Sequence, residues 1–463
     1  MVIEVTTHEI LSEFLRRTGR GLPGDCGENR GCGKCSVELL SGLWESGGKL
    51  LRAPCSAVPC VTKLKSCIGS IEVPEIPSGA PKVSADWDHV SAPLPRNEAP
   101  VIAVDMGTTT LAAVRIEEGR ITASETALNG QCAFGDNVMT RIARSGEEFG
   151  ELRAALRDSV GTLLEKLGVE SARRIAAAGN TTMCCFLHGV DPAPIGTAPF
   201  AAPQVLFPER NDLWHGLPVH TVPCITGLLG GDIAAGLHEC SLETGDLFID
   251  LGTNCEMVFR TPEGLVGTSA AAGPAFEGCG VSCGSRALPG AVDHWRGPGK
   301  FSVIGGVPPR SLCGSGLLDF LAEARQSGLL NAAGRFNSGA PLFEIAPQLA
   351  VSEEDIAELL KAKAAVASAI TALEKHTGFA PRRLKLAGGF SRYMDIGSAR
   401  KTGMIPDLPT LSCGNLSLAG AARLACAPEL LPEMEFTPGR LREVHLNDIP
   451  GFPELFTAAL KLP

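Results

Sequence analysis

The sequence predicts a small α+β unit at the front of the chain, then a Pro-rich linker, then a larger α/β module. Six of the cysteines fall within the first 67 residues, around a single helix-like segment. Five prolines lie between residues 74 and 95, where hydrophobic periodicity is weak. From Val101 onward, apolar strands ending in glycine-rich turns alternate with Ala- and Leu-rich helical stretches, a pattern typical of α/β proteins.

The front unit is expected to span residues 1–75. Residues 2–5 and 70–73 have strand-like composition, and residues 7–17 have apolar side chains at helical spacing. Thr7 is the expected N-cap of that helix because a threonine hydroxyl can accept a hydrogen bond from the first free amides. A glycine-rich loop separates this helix from the later strands.

Residues 76–97 are expected to form an extended, semi-rigid linker, long enough for the front unit to move between docking sites. The α/β module then occupies residues 98–463. Its clearest helix candidates are residues 151–167, 316–327 and 352–377. The last begins at Ser352 with S-E-E-D, a capping box with Asp in the fourth place.

Composition excludes several functional classes. The 463 residues are 44% hydrophobic and 20% charged, which is ordinary for a folded globular chain. The net charge of −10 argues against a general nucleic-acid binder, which normally presents a basic field. The chain has no apolar window of membrane-spanning length, and its N-terminus has no signal-like pattern, so we expect no membrane association and a cytoplasmic location.

The front cysteines have the spacing of a metal-centre loop. Cys26, Cys32 and Cys35 follow a C-x5-C-x2-C pattern, and the glycines between them allow the backbone to wrap around a compact object. Thiolates at this spacing select zinc or an iron–sulfur cluster. Zinc is the weaker alternative because structural zinc sites usually pair two short C-x-x-C-like turns. The fourth ligand is ambiguous among Cys55, Cys60 and Cys67.

The module contains two similar strand-and-turn motifs and a third glycine turn. The first is an apolar strand that ends in Asp105, and the second ends in Asp250. Turn amides and hydroxyls can hold phosphate oxygens, while a strand-end Asp can order hydrated Mg²⁺. The third is L-K-L-A-G-G-F, where a nucleoside could lie against bare backbone. The turn residues are Gly107, Thr108, Thr109 and Thr110 in the first motif, Gly252, Thr253 and Asn254 in the second, and Gly388, Gly389 and Phe390 in the third.

This set of motifs resembles the superfamily of acetate and sugar kinases, Hsp70 and actin (ASKHA), and the cysteine loop resembles vertebrate-type [2Fe-2S] ferredoxins. Further stretches, including G-N-T-T-M, G-G-D, G-P-A-F-E-G and C-G-S-G, narrow the resemblance to the reductive activators of corrinoid proteins. The resemblance implies a β-grasp ferredoxin domain, trimmed here because the hairpin before the helix is largely missing. It also implies two ATPase lobes, at roughly 98–245 and 246–425, with a C-terminal tail. Compared with longer members of the family, the chain is expected to lack a middle domain.

The resemblance also implies site roles. Cys60 becomes the favoured fourth ligand beside Cys26, Cys32 and Cys35, because it precedes a strand that ends in V-P. Asp105 and Asp250 would position Mg²⁺ and the attacking water, the turn hydroxyls would hold the β- and γ-phosphates, and the third turn would border adenosine. Lys363 would contact ribose or phosphate, with an exposed lysine as the alternative. Glu277 would belong to the catalytic or corrinoid-facing region, with a surface role as the alternative.

The implied function is ATP-dependent reduction of an inactive Co(II) corrinoid protein to Co(I) by one electron from the [2Fe-2S] cluster. The implied partners are a corrinoid protein of a methyltransferase system and an external low-potential electron donor; a homodimer is left open. Three alternatives remain at this stage. They are an ATP-driven electron donor to another low-potential enzyme, a small-molecule kinase with a regulatory cysteine site, and a redox scaffold that only senses ATP.

Overall fold

The computed structural model describes residues 2–18, 37–73, 87–90, 92–135, 137–436 and 439–463. The predictions for Cys26, Cys32 and Cys35 concern residues outside these ranges. None of the helices in the described part of the chain is long and apolar enough to cross a membrane.

The front unit is built from two small sheets and one helix. One sheet has the strand order β1-β7-β2-β5 and the other has the order β4-β3-β6. The elements are β1 (Val2–Val5), α1 (Leu11–Arg17), β2 (Val37–Ser41), β3 (Leu43–Ser46), β4 (Lys49–Arg52), β5 (Cys55–Ala57), β6 (Thr62–Leu64) and β7 (Gly69–Glu72).

The core of the front unit forms where α1 packs against these strands. Leu11 and Leu15, four residues apart on one face of α1, are each 1% exposed and pack in the same cluster as Trp44 and Ile71. The first and last strands of the unit, β1 and β7, lie within one residue of their predicted positions, but the helix starts four residues late. Thr7 is not its N-cap, because α1 begins at Leu11; the Thr7 hydroxyl accepts from the Glu9 amide at 3.3 Å, ahead of the helix.

The first lobe of the large module is a five-stranded sheet with the order β10-β9-β8-β11-β12. Strands β8, β9 and β10 form an antiparallel meander, whereas β11 runs parallel to both β8 and β12. The helix expected at 151–167 is longer than predicted and has a kink at Glu148. The elements are β8 (Val101–Met106), β9 (Thr110–Glu117), β10 (Arg120–Leu128), α2 (Val138–Lys166), β11 (Ile175–Gly179), α3 (Thr181–His188), β12 (Val219–Thr221) and α4 (Gly231–Glu239).

The second lobe is a six-stranded sheet with the order β22-β21-β13-β14-β15-β23, with two smaller sheets beside it. The helices predicted at 316–327 and 352–377 are found, and the side chains of Ser352 and Asp355 form the expected capping box. The elements are β13 (Asp246–Leu251), β14 (Cys255–Thr261), β15 (Gly264–Ala270), β16 (Ala291–Trp295), β17 (Phe301–Val303), β18 (Ser311–Leu312), α5 (Gly314–Gln326), β19 (Leu342–Ala346), β20 (Leu349–Ser352), α6 (Glu353–Thr377), β21 (Arg383–Ala387), α7 (Ile396–Lys401), β22 (Thr410–Gly414), α8 (Leu416–Cys426), α9 (Leu431–Met434), β23 (Leu441–Glu443) and α10 (Phe452–Ala459).

The C-terminal tail is an integral part of the second lobe. Strand β23 pairs with β15 at the edge of the six-stranded sheet, and α10 packs along α6. The expectation of a separate tail after residue 425 therefore needs correction. Sequence periodicity did not reveal this because β23 is only three residues long.

Helices α4 and α8 join the two lobes. Helix α8 follows β22 of the second lobe, yet its apolar face packs against β8 and β11 of the first. The helices approach closely because small residues line their contact. A Cβ atom on Gly420 would lie 2.6 Å from the Cβ of Ala235, which is closer than such atoms pack. The two sheets are thereby held on either side of one helical layer.

The end of the predicted linker is docked on the large module. The amide of Asp88 donates to the carbonyl of Cys413 at 2.9 Å, beside a bridge between Trp87 and Gly414 at the edge strand β22. The guanidinium of Arg423 donates to the carbonyls of Ala92 and Pro93. The expectation of a free spacer up to residue 97 is thus wrong for its described part.

A buried ion pair anchors this docking. Arg423 is 7% exposed and Glu239 is 1% exposed, and Arg423 Nη2 lies 2.8 Å from Glu239 Oε2. This pair connects α8 to α4, and the same guanidinium holds the linker carbonyls. The pair therefore fixes helix–helix packing and linker position together.

Replacing Arg423 with Ala is expected to destabilise the protein by about 3–5 kcal/mol, because it removes the cation from beside a buried carboxylate. The measurement is the free energy of unfolding by urea. Arg96→Ala is the matched control, because Arg96 pairs with Glu118 on the exposed surface, and it should change stability by less than about 1 kcal/mol. Similar effects of the two substitutions would contradict the role assigned to Arg423.

Candidate functional site

Two hairpin turns, one in each lobe, form the floor of a cleft. In the first lobe, β8 ends at Met106 and β9 pairs back from Leu111; in the second, β13 ends at Leu251 and β14 pairs back from Cys255. The first turn is tight, since a Cβ on Gly107 would lie 2.4 Å from the carbonyl oxygen of Thr110. The two turns are thus structural equivalents, as their sequences indicate.

The third glycine turn closes against the second hairpin. Strand β21 runs parallel to β13, so both strands end at the same edge of the sheet. Gly388 has φ of +89°, and a Cβ there would lie 2.5 Å from Asp250 Oδ1. A side chain at this position would collide with the carboxylate. Glycine is therefore required for the turn to reach the cleft.

The three turns line one cleft of about 240 Å³. All the residues predicted from the three motifs contribute to it, namely Asp105, Gly107, Thr108, Thr109, Thr110, Asp250, Gly252, Thr253, Asn254, Gly388, Gly389 and Phe390. The structure therefore brings together residues that are up to 285 positions apart in the sequence, from 105 to 390.

Lys363 does not line this cleft. Its side chain is 2% exposed, and its Nζ donates to the carbonyls of Ala459 and Lys461 at 2.7 Å each. Burial lowers the pKa of Lys363 to about 8. Both proposed positions, at ribose or phosphate and on the exposed surface, are thus corrected: Lys363 anchors the C-terminal segment to α6.

Asp105 is held by the start of α8. Asn415 Nδ2 donates to Asp105 Oδ2 at 2.8 Å, and Ser417 Oγ donates to Oδ1 at 2.6 Å. Burial raises the pKa of Asp105, while these two hydrogen bonds lower it. Since Asp105 belongs to a first-lobe strand and α8 follows a second-lobe strand, these bonds also join the lobes at the cleft.

Other carboxyl groups surround the same point. Burial is the main cause that raises the pKa of Asp250 to about 8 and that of Asp232 to about 7, and neighbouring carboxylates add to both shifts. Burial also raises the pKa of Glu256 well above its ordinary value. Such a cluster favours a divalent cation. Among the described residues no group of three or more His, Cys, Asp or Glu side chains is arranged to hold a metal ion. Mg²⁺ bound with nucleotide typically uses one or two carboxylates plus water and phosphate oxygens.

Glu277 connects the two hairpin turns. Thr109 Oγ1 donates to Glu277 Oε2 at 2.9 Å, and Thr253 Oγ1 donates to Oε1 at 2.7 Å. The position within the cleft supports the catalytic-region alternative for Glu277 over a surface role.

Sequence reasoning assigned no role to several residues that line the cleft. They are Asn180, Asp232, Glu256, Phe276, Ser285, Arg286, Tyr393, Asn415 and Ser417. Asn180 Nδ2 donates to Thr108 Oγ1 at 3.0 Å, which orients the first turn. Arg286 is the one basic residue among the described lining residues, and its Nε has no hydrogen-bond partner in the described part of the chain. Glu256 could have been recognised as a candidate site residue because it is a charged residue within the apolar strand C-E-M-V-F.

Cys60 is the predicted cluster ligand that lies within the described residues. It is 5% exposed and sits in the short 3₁₀ turn Pro59–Val61, between β5 and β6. Cys55 is half-buried in β5, and Cys67 is exposed. A buried position in a turn is suited to a ligand that must be shielded from water.

Three family models match most of the chain. The model described as the 2Fe-2S iron-sulfur cluster binding domain matches residues 1–65. The model for the RACo middle region matches residues 101–245, and that for the C-terminal ASKHA domain of RACo matches residues 245–463.

The chain belongs to the RACo family. These matches confirm the resemblance to reductive activators of corrinoid proteins, together with the ferredoxin and ASKHA domains that it implied. The expected lack of a middle domain is wrong, because the RACo middle region corresponds to residues 101–245, which the sequence analysis assigned to the first ATPase lobe.

Named relatives agree with this membership of the RACo family. The corrinoid activation enzyme RamQ of Eubacterium limosum is 26% identical over 419 residues, which cover 79% of this chain and 71% of that enzyme. The Co(II) methylated amine-specific corrinoid protein reductase of Methanosarcina barkeri is 27% identical over 257 residues, covering 48% and 47% of the two chains. A solved reductive activator for a corrinoid, iron-sulfur protein shares the fold, with a TM-score of 0.71 and 23% identity over 99% of this chain and 96% of that one.

The Asp250→Asn variant is expected to be more stable than wild type at pH 8 without ligands. The unfolded Asp ionises near pH 4, whereas the pKa of Asp250 in the folded chain is about 8. Wild-type stability therefore falls as pH rises from about 4 to 8, and asparagine removes this loss. We expect a gain of at least about 1 kcal/mol at pH 8, or a Tm rise of at least about 1 °C for a chain of this length.

The measurement is thermal unfolding at pH 4.5 and pH 8 without Mg²⁺ or nucleotide. The gain should be small at the lower pH, where folded wild type and variant are both neutral at this position. Asp158→Asn, at an exposed position of α2, controls for the loss of one charge and should show no such pH dependence. A pH-independent difference for Asp250→Asn would contradict the buried, protonated carboxyl.

Proposed function

We propose that this chain uses ATP to drive the reduction of a corrinoid protein from inactive Co(II) to Co(I). The observation that carries the proposal is the union, in one polypeptide, of a 2Fe-2S domain match and a two-lobed cleft lined by two Asp–Gly–Thr turns. The names of the relatives support it, since one acts in corrinoid activation and another is a Co(II) corrinoid protein reductase.

ATP is needed because the electron moves uphill. For one electron, each 59 mV corresponds to a factor of ten, so a gap of about 200 mV, chosen for illustration, costs about 5 kcal/mol. Nucleotide binding can offset this by favouring a docked state in which the cobalt is desolvated and more easily reduced. The cleft residues would thus gate the complex, while the front domain delivers the electron.

Within the cleft, Asp105 and Asp250 would position Mg²⁺ and the attacking water, supported by their places at the ends of β8 and β13. The hydroxyls of Thr108, Thr109 and Thr253 would hold phosphate oxygens, with Asn254 and the amides of both turns. The turn from Gly388 to Phe390 would border adenosine, and Phe390 already stacks on Phe276, with ring centroids 5.4 Å apart.

The front domain would hold its cluster through Cys26, Cys32, Cys35 and Cys60. When bound, the [2Fe-2S] cluster supplies one-electron transfer. Because the chain ends each cycle one electron short, an external low-potential donor must replace the electron passed to cobalt. We place this chemistry in the cytoplasm, where ATP is available, with a corrinoid protein as partner; a homodimer is one form in which it could assemble.

The proposal is tested with anaerobically purified protein, a Co(II) corrinoid protein and a chemical reductant. Co(I) formation, followed by absorption, should require ATP. Asp105→Asn should keep the cluster spectrum but slow the ATP-dependent rate by at least about tenfold, a loss of about 1.4 kcal/mol of transition-state stabilisation. Asp158→Asn is the matched control and should behave as wild type.

Two outcomes would overturn this function. Co(I) formation at the same rate with and without ATP would remove the nucleotide gate. ATP-dependent transfer of phosphate to a small acceptor, with no reduction of cobalt, would favour the kinase alternative.

The fourth cluster ligand has its own test. Cys60→Ser should abolish or shift the visible absorption of the cluster, because a hydroxyl is a poor substitute for a thiolate ligand on iron. Cys55→Ser, which changes a half-buried thiol in the neighbouring strand, should leave it intact. The measurement is the absorption and EPR spectrum with the iron content of each protein. The reverse pattern would move the ligand to Cys55.

A further inference from the structure

We propose that Glu277 occupies the place of the terminal phosphate of ATP in the nucleotide-free cleft, so that ATP displaces it and ADP does not. This inference rests on the proposed nucleotide site and deepens it. Glu277 would then determine which nucleotide the cleft prefers and would report its presence to the rest of the second lobe.

The geometry of Glu277 is that of a bridging acceptor. Its two carboxylate oxygens accept from Thr109 in the first lobe and Thr253 in the second, at 2.9 and 2.7 Å. Thr109 is the fourth residue after Asp105 and Thr253 is the third residue after Asp250, so the two hydroxyls come from neighbouring positions of the two related turns. The carboxylate therefore imitates an anion that lies between the two turns and accepts hydrogen bonds from both.

A terminal phosphate and the carboxylate cannot share these donors. A threonine hydroxyl has one proton to donate, and both protons are already used by Glu277. Two anions at one point also repel strongly in a poorly solvated cleft. Four further carboxyl side chains, those of Asp105, Asp232, Asp250 and Glu256, line the same cleft against one guanidinium among the described residues.

Displacement of the Glu277 side chain can be transmitted to residues outside the cleft. Glu277 ends the 3₁₀ turn Ala275–Glu277, and Phe276 in that turn stacks on Phe390 of the nucleoside turn. Gly278, at φ of +80°, crosses the backbone of Ser285 so closely that a Cβ would lie 2.3 Å from its carbonyl oxygen. A backbone movement at Glu277 would therefore shift this crossing.

The segment that follows Gly278 is hydrogen-bonded to the start of the long helix α6. The hydroxyl of Ser282 donates to Asp355 Oδ2 at 2.8 Å, and Asp355 is the N3 residue of the capping box that begins α6. Residues 278–286 thus connect the phosphate turns to the start of α6. Removal of Glu277 from the two threonines is transmitted along this path.

The test compares the affinity for ADP with that for a non-hydrolysable ATP analogue. Glu277→Ala removes the competing anion, so its affinity for the triphosphate analogue should rise about tenfold, equivalent to about 1.4 kcal/mol. Its affinity for ADP should change less than about threefold, or about 0.7 kcal/mol. Glu277→Gln, which is neutral but can still accept one bond, should fall between wild type and Ala. Glu263→Gln, on an exposed turn, controls for the charge and should match wild type.

A fall in affinity for the triphosphate analogue, or an equal change for both nucleotides, would overturn the proposal. Wild type provides a second measurement that needs no substitution. Amide hydrogen exchange at residues 277–279 should be faster with the triphosphate analogue than with ADP, and equal rates would overturn the proposal. If wild type bound neither nucleotide, the nucleotide site itself would fail; binding without discrimination by Glu277 would refute this inference alone.

Discussion

The close packing of α4 against α8 is the contact on which the cleft depends. Only small residues such as Ala235 and Gly420 allow these helices to approach as they do. Because α8 leaves a second-lobe strand and packs on first-lobe strands, its start is carried to Asp105, where Asn415 and Ser417 bind the carboxylate. A larger side chain in the contact would separate the lobes and the two phosphate turns with them.

The same contact forces acidic groups into a poorly solvated space. Asp250, Asp232 and Glu256 have raised pKa values mainly because they are buried, and each also feels neighbouring carboxylates. The ligand-free fold therefore tolerates an unfavourable cluster that a divalent cation and its nucleotide would relieve. The buried carboxyl groups lower the stability of the folded state at the binding site, and ligand binding to the folded state raises it again through mass action.

Local motifs were predictable from sequence, whereas contacts between distant segments were not. The Asp–Gly–Thr turns and the Gly–Gly turn are defined by consecutive residues, so their place in one cleft followed from strand-end geometry. Lys363 was misplaced because its partners are carbonyls 96 and 98 residues further along the chain. Arg286 follows an irregular glycine-rich segment with no periodicity, and β23 is too short to be recognised. The position of the linker's end depends on hydrogen bonds from Arg423, which lies about 330 residues further along the chain, so no local pattern could predict it.

That docking limits the distance between the front unit and the large module. Fourteen peptide steps separate Val73, the last described residue of the front unit, from Trp87, the first docked residue. At about 3.6 Å per step the tether spans at most about 50 Å. One domain confined to a sphere of that radius has an effective concentration of about 3 mM, within the range for short tethers. Under the proposed function, a corrinoid protein bound to the ATPase lobes would find its electron donor on the same chain, without a second diffusional encounter.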